Sequence, residues 1–266
     1  MSQSLLYKGI MRSKPHPNRA LTTTMLDTVK TGIHLRTGFT PTSPRIWKSI
    51  NNRAISRKIR AFMWKSLHDA HRCGKYWTHI PSLEDRAICP TCDELETTDH
   101  ILTTCKSSSQ ETVWSLTKEL WTMKNLPWPQ TSLGSILGCG ITDFRSPSGL
   151  SLLGANRLFT IIISESMYLI WLLRCEWCIQ KQCDPSNQHT TNEIRERWLA
   201  IINNHLQMDC TLTNKRRYGK RALPALTVHK TWHGTILDEQ SLPDDWHRNT
   251  GVLVGIGARR PPGRNR

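Results

Sequence analysis

Three cysteines and one histidine fall within a short stretch of the chain and have the spacing of metal ligands. Cys89, Cys92, His100 and Cys105 form the pattern Cys-x2-Cys-x7-His-x4-Cys. Thiolate and imidazole groups bind zinc in closed tetrahedral sites, and four protein ligands leave no position for a substrate water. The pattern therefore predicts a structural zinc ion and not a hydrolytic one. The alternative is four unrelated residues in a reduced protein that contains nine cysteines.

Two local structures have to bring these four side chains together. Pro90 lies inside the first cysteine pair, where it bends the backbone so that both sulfurs can face one ion. A short helix should then carry the histidine ligand in its first turn and the last cysteine ligand at or just past its end. Three consecutive N-cap candidates precede that helix: Thr97, Thr98 and Asp99.

Other cysteines and histidines lack such a knuckle. The pattern Cys175-x2-Cys178-x4-Cys183-x5-His189 has no glycine or proline between its first two cysteines and lies in a helical run, so we interpret it as core or helix-surface thiols. A second group is interpreted as ordinary polar positions: His68, His71, Cys73 and His79.

Charge is distributed unevenly along the sequence. The formal net charge of the 266 residues is +15, which predicts a polyanionic partner. Residues 1–80 contain fifteen Lys and Arg against two Asp, whereas residues 81–105 contain six acidic residues against Arg86 alone. The predicted zinc module is therefore acidic, and basic helices elsewhere should contact phosphates. The candidate contacts are Arg57, Lys58, Arg60, Lys65, Lys215, Arg216, Arg217, Lys220 and Arg221.

Apolar periodicity predicts a mainly α-helical fold. Ile55, Ile59, Phe62, Met63 and Leu67 form one stripe of a helix. Further helices are predicted over residues 113–123, 154–183 and about 191–205, and the last two should form an antiparallel hairpin. The expected architecture is a small zinc-stapled helical module followed by this hairpin, with irregular termini.

These patterns divide the chain into five predicted segments. Residues 1–44 form a basic, mostly irregular segment with a short helix around residues 21–30, 45–130 the zinc module, 131–154 a glycine-rich linker, 155–258 a helical region and 259–266 a disordered basic tail. No N-terminal apolar run with a cleavage site occurs, so we expect an intracellular protein, nuclear or cytoplasmic and not secreted. Glu165 and its flanking serines interrupt the longest apolar run, so no transmembrane helix and no membrane partner are expected.

About a third of the chain, roughly residues 45–128, resembles the zinc-binding domain of reverse transcriptases from non-LTR retrotransposons. The residues that carry the resemblance are Trp47-Lys48-Ser49-Ile50, Lys58 to Lys65, Leu67-His68, the cysteine pair, Glu96, Asp99 to Leu102 and Cys105. Segments 164–171, 242–246 and 251–256 are similar, less specifically, to the C-terminal tails of fungal members. The resemblance implies structural zinc, contact with RNA or DNA, and polymerase-type domains upstream.

The catalytic residues of such polyproteins cannot be carried over. A polymerase palm and an RNase H domain each hold two metal ions with clustered carboxylates. The only adjacent aspartates are Asp244 and Asp245, and the preceding Pro243 favours a turn. No nucleophile and base pair is recognisable either, so the chain is predicted not to be an enzyme.

Two functions are therefore compatible with the sequence. The first is a non-catalytic, zinc-stabilised nucleic-acid-binding fragment of a retrotransposon reverse transcriptase polyprotein. The alternative is a helical protein-interaction scaffold, in which the basic charge is incidental and the tryptophans bind a protein partner.

Overall fold

Helices make up most of residues 2–14, 19–249 and 251–256, which are described by a computed structural model. No β-sheet forms among these residues, which contain only isolated β-bridges. The mainly α-helical fold is confirmed. The α-helices are α1 (Gln3–Ser13), α2 (Ala20–Thr37), α3 (Ser43–Ser49), α4 (Arg57–Leu67), α5 (Ser108–Thr122), α6 (Leu133–Leu137), α7 (Leu153–Ile179), α8 (Thr191–Leu212), α9 (Lys215–Tyr218) and α10 (Ala225–Trp232). Short helical turns cover Gly74–His79, Glu84–Ala87, His100–Thr104, Pro185–Asn187, Gly219–Arg221, Glu239–Ser241 and Trp246–Arg248.

Helix α7 lies at the centre of the fold. Its apolar side chains point in all directions, and five helices pack around it: α4, α5, α6, α8 and α10. Among the described residues it is the one helix long and apolar enough to cross a membrane, but 72% of its most apolar window is buried inside the protein. Burial against other helices is what a core helix of this composition requires.

The predicted hairpin of α7 and α8 is present and antiparallel. Glu176, near the end of α7, binds Arg197, near the start of α8, with two oxygen to nitrogen distances of 2.6 and 2.7 Å. At the other end Arg157 donates two hydrogen bonds of 2.6 Å to Asp209. Asp209 is only 2% exposed, so this bidentate pair fixes the register of the hairpin from inside the core.

Helix α4 buries the predicted apolar stripe. Ile59, Met63 and Leu67 are fully buried, and the ring of Phe62 lies 5.7 Å from that of Trp171 on α7. Because the stripe faces the core, the opposite face of α4 is left to solvent. The helix thus presents Arg57, Lys58 and Lys65 to solvent while α7 holds it in place.

The N-terminal segment is more ordered than the sequence suggested. Residues 20–37 form helix α2, which is longer than the short helix expected around residues 21–30, and α1 adds a second helix, so the mostly irregular segment predicted over residues 1–44 is wrong there. Threonines and glycine gave α2 a weak local signal, and packing against α6 compensates for it. A side chain at Gly32 would place its Cβ 2.6 Å from the backbone nitrogen of Ser135, so glycine permits this close contact.

The predicted linker over residues 131–154 also differs from the structure. Helix α6 lies inside this segment, and all five of its residues are buried. One hydrophobic core includes residues from Met25 to Ile256, so the described zinc-module residues and the hairpin share it. The predicted basic tail, residues 259–266, lies outside the described residues.

His71 supplies a pH test of how the loop after α4 packs against α7. Its ring lies 4.4 Å from that of Trp171, and its Nε2 is 3.0 Å from the Ser66 hydroxyl. Burial lowers the pKa of His71 to about 4, so the charged form is disfavoured in the folded state. The stability contributed by neutral His71 is therefore complete above pH 6.5 and lost as pH falls towards 4.

We expect wild type to lose about 1 kcal/mol relative to His71→Gln between pH 7.5 and 5, since partial exposure reduces the effect. Urea unfolding of both proteins across this range measures the difference. His79→Gln, at an exposed position, is the control. If the difference in the free energy of unfolding between wild type and His71→Gln stays constant with pH, the lowered pKa assigned to His71 is wrong.

Candidate metal centre

The first two ligand candidates lie on a tight backbone hairpin. The amide of Cys89 donates to the carbonyl of Glu94 at 2.8 Å, and that of Glu96 donates to the carbonyl of Ala87 at 2.8 Å. Asp93 closes the turn with a φ of 58°. The predicted knuckle is therefore present, with Cys89 buried.

The other two candidates lie on a widened helical turn. Thr97 acts as its cap, because its hydroxyl accepts a hydrogen bond from the amide of His100 at 3.0 Å. The amide of Cys105 donates to the carbonyl of His100 at 2.8 Å, which is the i to i+5 bond of a π-helix. In an α-helix residues five apart lie about 140° from each other around the axis. The π turn brings both side chains to the same face, as such turns do at functional sites.

The four candidate ligands form one cluster. Their ligand atoms all lie within 4.8 Å of one another. The Sγ of Cys105 is 3.8 Å from that of Cys89 and 3.9 Å from that of Cys92. A tetrahedral ion with metal to sulfur bonds of about 2.3 Å requires sulfur to sulfur distances of about 3.8 Å. A disulfide would need about 2.05 Å, so the geometry is that of a metal site.

His100 is oriented for ligation. Its Nε2 is buried and has no hydrogen-bond partner among the described residues. Its Nδ1 lies 3.2 Å from a carboxylate oxygen of Glu94 and 3.2 Å from the hydroxyl of Thr104. A carboxylate next to Nδ1 keeps the proton there and leaves the lone pair of Nε2 free for an ion. Sequence reasoning missed Glu94 as a partner of His100, because spacing identifies candidate ligands and not the residues that orient them.

Hydrogen bonds to the sulfur atoms also favour the binding of a cation. The amide of Lys106 donates to the Sγ of Cys92 at 3.2 Å. Hydrogen bonding by the Cys105 thiol lowers the pKa of the Cys89 thiol, against the opposing effect of burial. The same contact raises the pKa of the Cys105 thiol, so without a cation one thiolate is favoured in this pair. Thiolates are the form that binds metals, and a bound cation would favour further deprotonation.

A buried ion pair attaches the cluster to α7. Glu96 follows the knuckle and pairs with the guanidinium of Arg174 on α7, and the two side chains are 8% and 9% exposed. Burial raises the pKa of Glu96 to about 6, and Arg174 acts in the opposite direction. The indole of Trp114 on α5 donates to the carbonyl of Leu102 in the π turn at 2.8 Å. The module is therefore joined to two core helices.

The second cysteine pattern is not gathered into a metal cluster in the described part of the chain. Arg174 donates to the Sγ of Cys183 at 3.7 Å, while His189 pairs with Glu193 at 2.8 Å. Burial raises the pKa of Cys175 to about 11, which keeps that thiol protonated at neutral pH. Its residues therefore serve separate contacts, and the same holds for the histidines after α4.

The basic residues predicted on α4 fall into two groups. Arg57, Lys58 and Lys65 are exposed and form no ion pair with a described residue. Arg60 is different, because its guanidinium donates to the carbonyls of Ile55 at 2.7 Å and Asn52 at 2.8 Å. It closes the loop before the helix and is therefore a poor candidate for phosphate contact.

Trp64 is the aromatic residue on the exposed face of α4. It is 49% exposed, and its ring lies edge-on to that of His68 at 4.2 Å. Arg57 and Trp64 are seven residues apart, so they lie on one side of the helix. The apolar stripe alone could not decide whether this tryptophan packs inside, and the structure leaves about half of it in solvent.

The second predicted basic cluster lies at the surface after α8. All five of its side chains are exposed: Lys215, Arg216, Arg217, Lys220 and Arg221. The first four border a groove to which His247 and Arg248 also contribute. Those two residues are distant in sequence, so only the tertiary fold associates them with the cluster. The nearby Asp244 and Asp245 are exposed in the predicted turn.

No protein-family model, curated protein or solved structure matches this chain. The family resemblance therefore depends on the residue pattern and on the geometry of the cluster.

Substitution of one cysteine tests the metal site. Cys92→Ser should lose one equivalent of bound metal per chain and about 3 kcal/mol or more of stability, because a structural metal contributes directly to folding. Metal content by mass spectrometry and urea unfolding measure both effects. Cys175→Ser, from the pattern that does not cluster, is the matched control and should keep its metal. Equal metal content in the two variants would refute the ligand assignment.

Proposed function

We propose that the chain is a non-catalytic nucleic-acid-binding fragment of a retrotransposon reverse transcriptase polyprotein, stabilised by a structural zinc ion. The observation that carries the proposal is the Cys3His cluster, Cys89, Cys92, His100 and Cys105, in a chain whose helix α4 has an exposed basic face. Both features occur in the segment that resembles the zinc-binding domain of that family.

Zinc suits the cluster better than other common ions. Three thiolates and one imidazole form a soft ligand set, and Mg²⁺ and Ca²⁺ prefer oxygen ligands. The sulfur separations of 3.8 and 3.9 Å suit a tetrahedral ion. Because all four positions are filled by protein, the ion would support the fold and would have no open position for catalysis.

The exposed face of α4 supports contact with a single strand. Arg57, Lys58 and Lys65 would bind phosphates, and Trp64 offers a flat ring on which a base can stack. Basic groups next to aromatic ones are the usual composition of single-strand binding surfaces. The acidic knuckle would stay away from the backbone of the nucleic acid.

Helix α7 would couple the metal to this surface. The knuckle attaches to α7 through Glu96 and Arg174, and α4 packs on α7 through Phe62 and Trp171. A metal that orders the knuckle would therefore also stabilise the platform that holds α4. These contacts suggest an indirect coupling through α7.

Salt dependence tests the phosphate contacts. Each phosphate contact contributes about 0.7 to the log-log slope of affinity against salt on single strands. The double variant Lys58→Gln/Lys65→Gln should therefore lower the slope by about 1.4 in fluorescence anisotropy with a short labelled oligonucleotide. Arg60→Gln is the matched control, and it should keep the slope but lose about 1–3 kcal/mol of stability, since two carbonyls lose their donor.

A wild-type slope near zero would contradict nucleic-acid binding. A slope that falls with Arg60→Gln and not with the double variant would contradict the assignment of the surface.

Trp64→Ala tests base stacking separately from charge. It should weaken single-strand binding by about 1–3 kcal/mol and leave the salt slope unchanged. The fold should be little affected, because half of the ring is already in solvent. Tyr7→Ala removes an aromatic ring that is 64% exposed on α1 and should leave affinity unchanged. Unaltered affinity in Trp64→Ala would argue against stacking at this position.

The protein-interaction scaffold remains the second candidate, and one observation favours it. Helix α1 exposes several apolar side chains by half or more: Leu5, Leu6, Tyr7 and Ile10. Most tryptophans are at least partly buried and so serve the core, and Trp64 alone falls in the exposed class among the described residues. A partner would therefore contact α1 more readily than the tryptophans.

A further inference from the structure

A groove away from the metal cluster is lined by hydrogen-bond donors that have no partner among the described residues. It lies between the end of α2, residues 127–132 and residues 141–145, and its volume is about 860 Å³. That size matches pockets that hold organic ligands and exceeds what a simple ion needs. The metal-binding and basic-surface roles proposed above make no use of it.

Arg36 is the central charged residue of this groove. Its guanidinium lies over the rings of Phe144 at 4.8 Å and Phe159 at 4.4 Å. It forms no ion pair or hydrogen bond with any described residue, and its Nη2 is shielded from solvent. Burial lowers the pKa of Arg36 to about 10, so it remains a cation at neutral pH. The side chain is partly exposed and lines the groove, so a guanidinium with no described anion is available to a ligand there.

A second unpartnered donor lines the same groove. Thr142 is 7% exposed, and its Oγ1 is buried without a hydrogen-bond partner among the described residues. A guanidinium can only donate hydrogen bonds, and a hydroxyl can donate one. Both residues line the groove, so rotation of these side chains towards it would let a ligand with several acceptor oxygens satisfy their donors.

The rim of the groove adds positive charge. Arg45 is exposed there and lies over the ring of Phe39 at 4.8 Å. Arg145 also lines it and pairs with Asp143 at 2.8 Å. The Asp143 carboxylate is further occupied by hydrogen bonds from side chains of residues 151 and 156, so it does not neutralise Arg36. The groove as a whole is therefore cationic.

Aromatic side chains give the groove a flat wall. Trp128 lines it and is partly buried against the core, and Phe39 is 46% exposed. Stacking on such rings is favourable for any nucleobase. A phosphomonoester carries about two negative charges and three acceptor oxygens, which match the donors opposite.

We propose that this groove binds a phosphate-bearing nucleotide unit, with Arg36 and Thr142 holding the phosphoryl oxygens and the base lying on Trp128. The unit can be a free nucleotide or the phosphorylated end of a strand, since both present the same chemistry. The groove is a different surface from α4, so its test is independent of the salt experiment.

Calorimetric titration of the full chain with AMP, adenosine and inorganic phosphate tests the proposal. AMP should bind more tightly than either of its parts. Arg36→Met keeps an apolar stem between the two phenyl rings and should weaken AMP binding about tenfold or more, because a charge-assisted contact is lost. Thr142→Val, of the same shape, should weaken it several-fold. Lys118→Gln, an exposed charge change on α5, is the matched control and should keep full affinity.

The stability of Arg36→Met distinguishes a loss of ligand binding from a loss of core packing. Arg36→Met should be at least as stable as wild type without ligand, because it removes a partly desolvated charge that has no described anion. No AMP binding, or binding that Arg36→Met leaves unchanged while its melting temperature falls, would overturn the proposal. Equal affinity for phosphate and AMP would overturn the role of Trp128. A short oligonucleotide with and without a 5′-phosphate then distinguishes a strand end from a free nucleotide.

Discussion

The structure depends on the burial of α7. This helix is apolar on every side, so it can be stable in water only when other helices cover it. Its covering helices include two that carry candidate function, α4 with its basic face and α5, which binds the π turn of the metal cluster. The positions of both candidate surfaces therefore follow from the need to cover one hydrophobic segment.

The polar residues inside α7 show how this core is specified. Ser166 lies within hydrogen-bond distance of the hydroxyl of Thr117 at 2.6 Å and accepts from the indole of Trp198 at 2.9 Å, joining α5, α7 and α8. Glu165 lies 3.3 Å from a ring nitrogen of His205. Buried polar groups are tolerated when they are paired, and each pair permits one register of the helices. These side chains looked like an interruption of the apolar run, and they in fact connect the bundle.

A metal bound by the Cys3His cluster would be strongly coupled to folding. In small metal-dependent domains, structural zinc contributes about 10–16 kcal/mol to the free energy of folding. That contribution is as large as the net stability of a whole protein, which is about 5–15 kcal/mol. Here the knuckle is attached to the core by a buried ion pair, and loss of either partner leaves an uncompensated charge. The acidic knuckle and the basic face of α4 both contact α7. This arrangement keeps the opposite charges on separate surfaces.

The sequence by itself determined the helical class, the stripe of α4, the α7 and α8 hairpin and the four residues of the metal cluster. These are local signals, since helical periodicity and ligand spacing are contained in short stretches of chain. Tertiary structure decided that residues 20–37 and 131–154 join the core, that Arg60 binds backbone carbonyls and that Trp64 is half exposed. It also decided that Arg36 and Thr142 face one groove. The reason is physical: burial, pairing and unsatisfied donors depend on residues that are distant in sequence, and no local pattern encodes those neighbours.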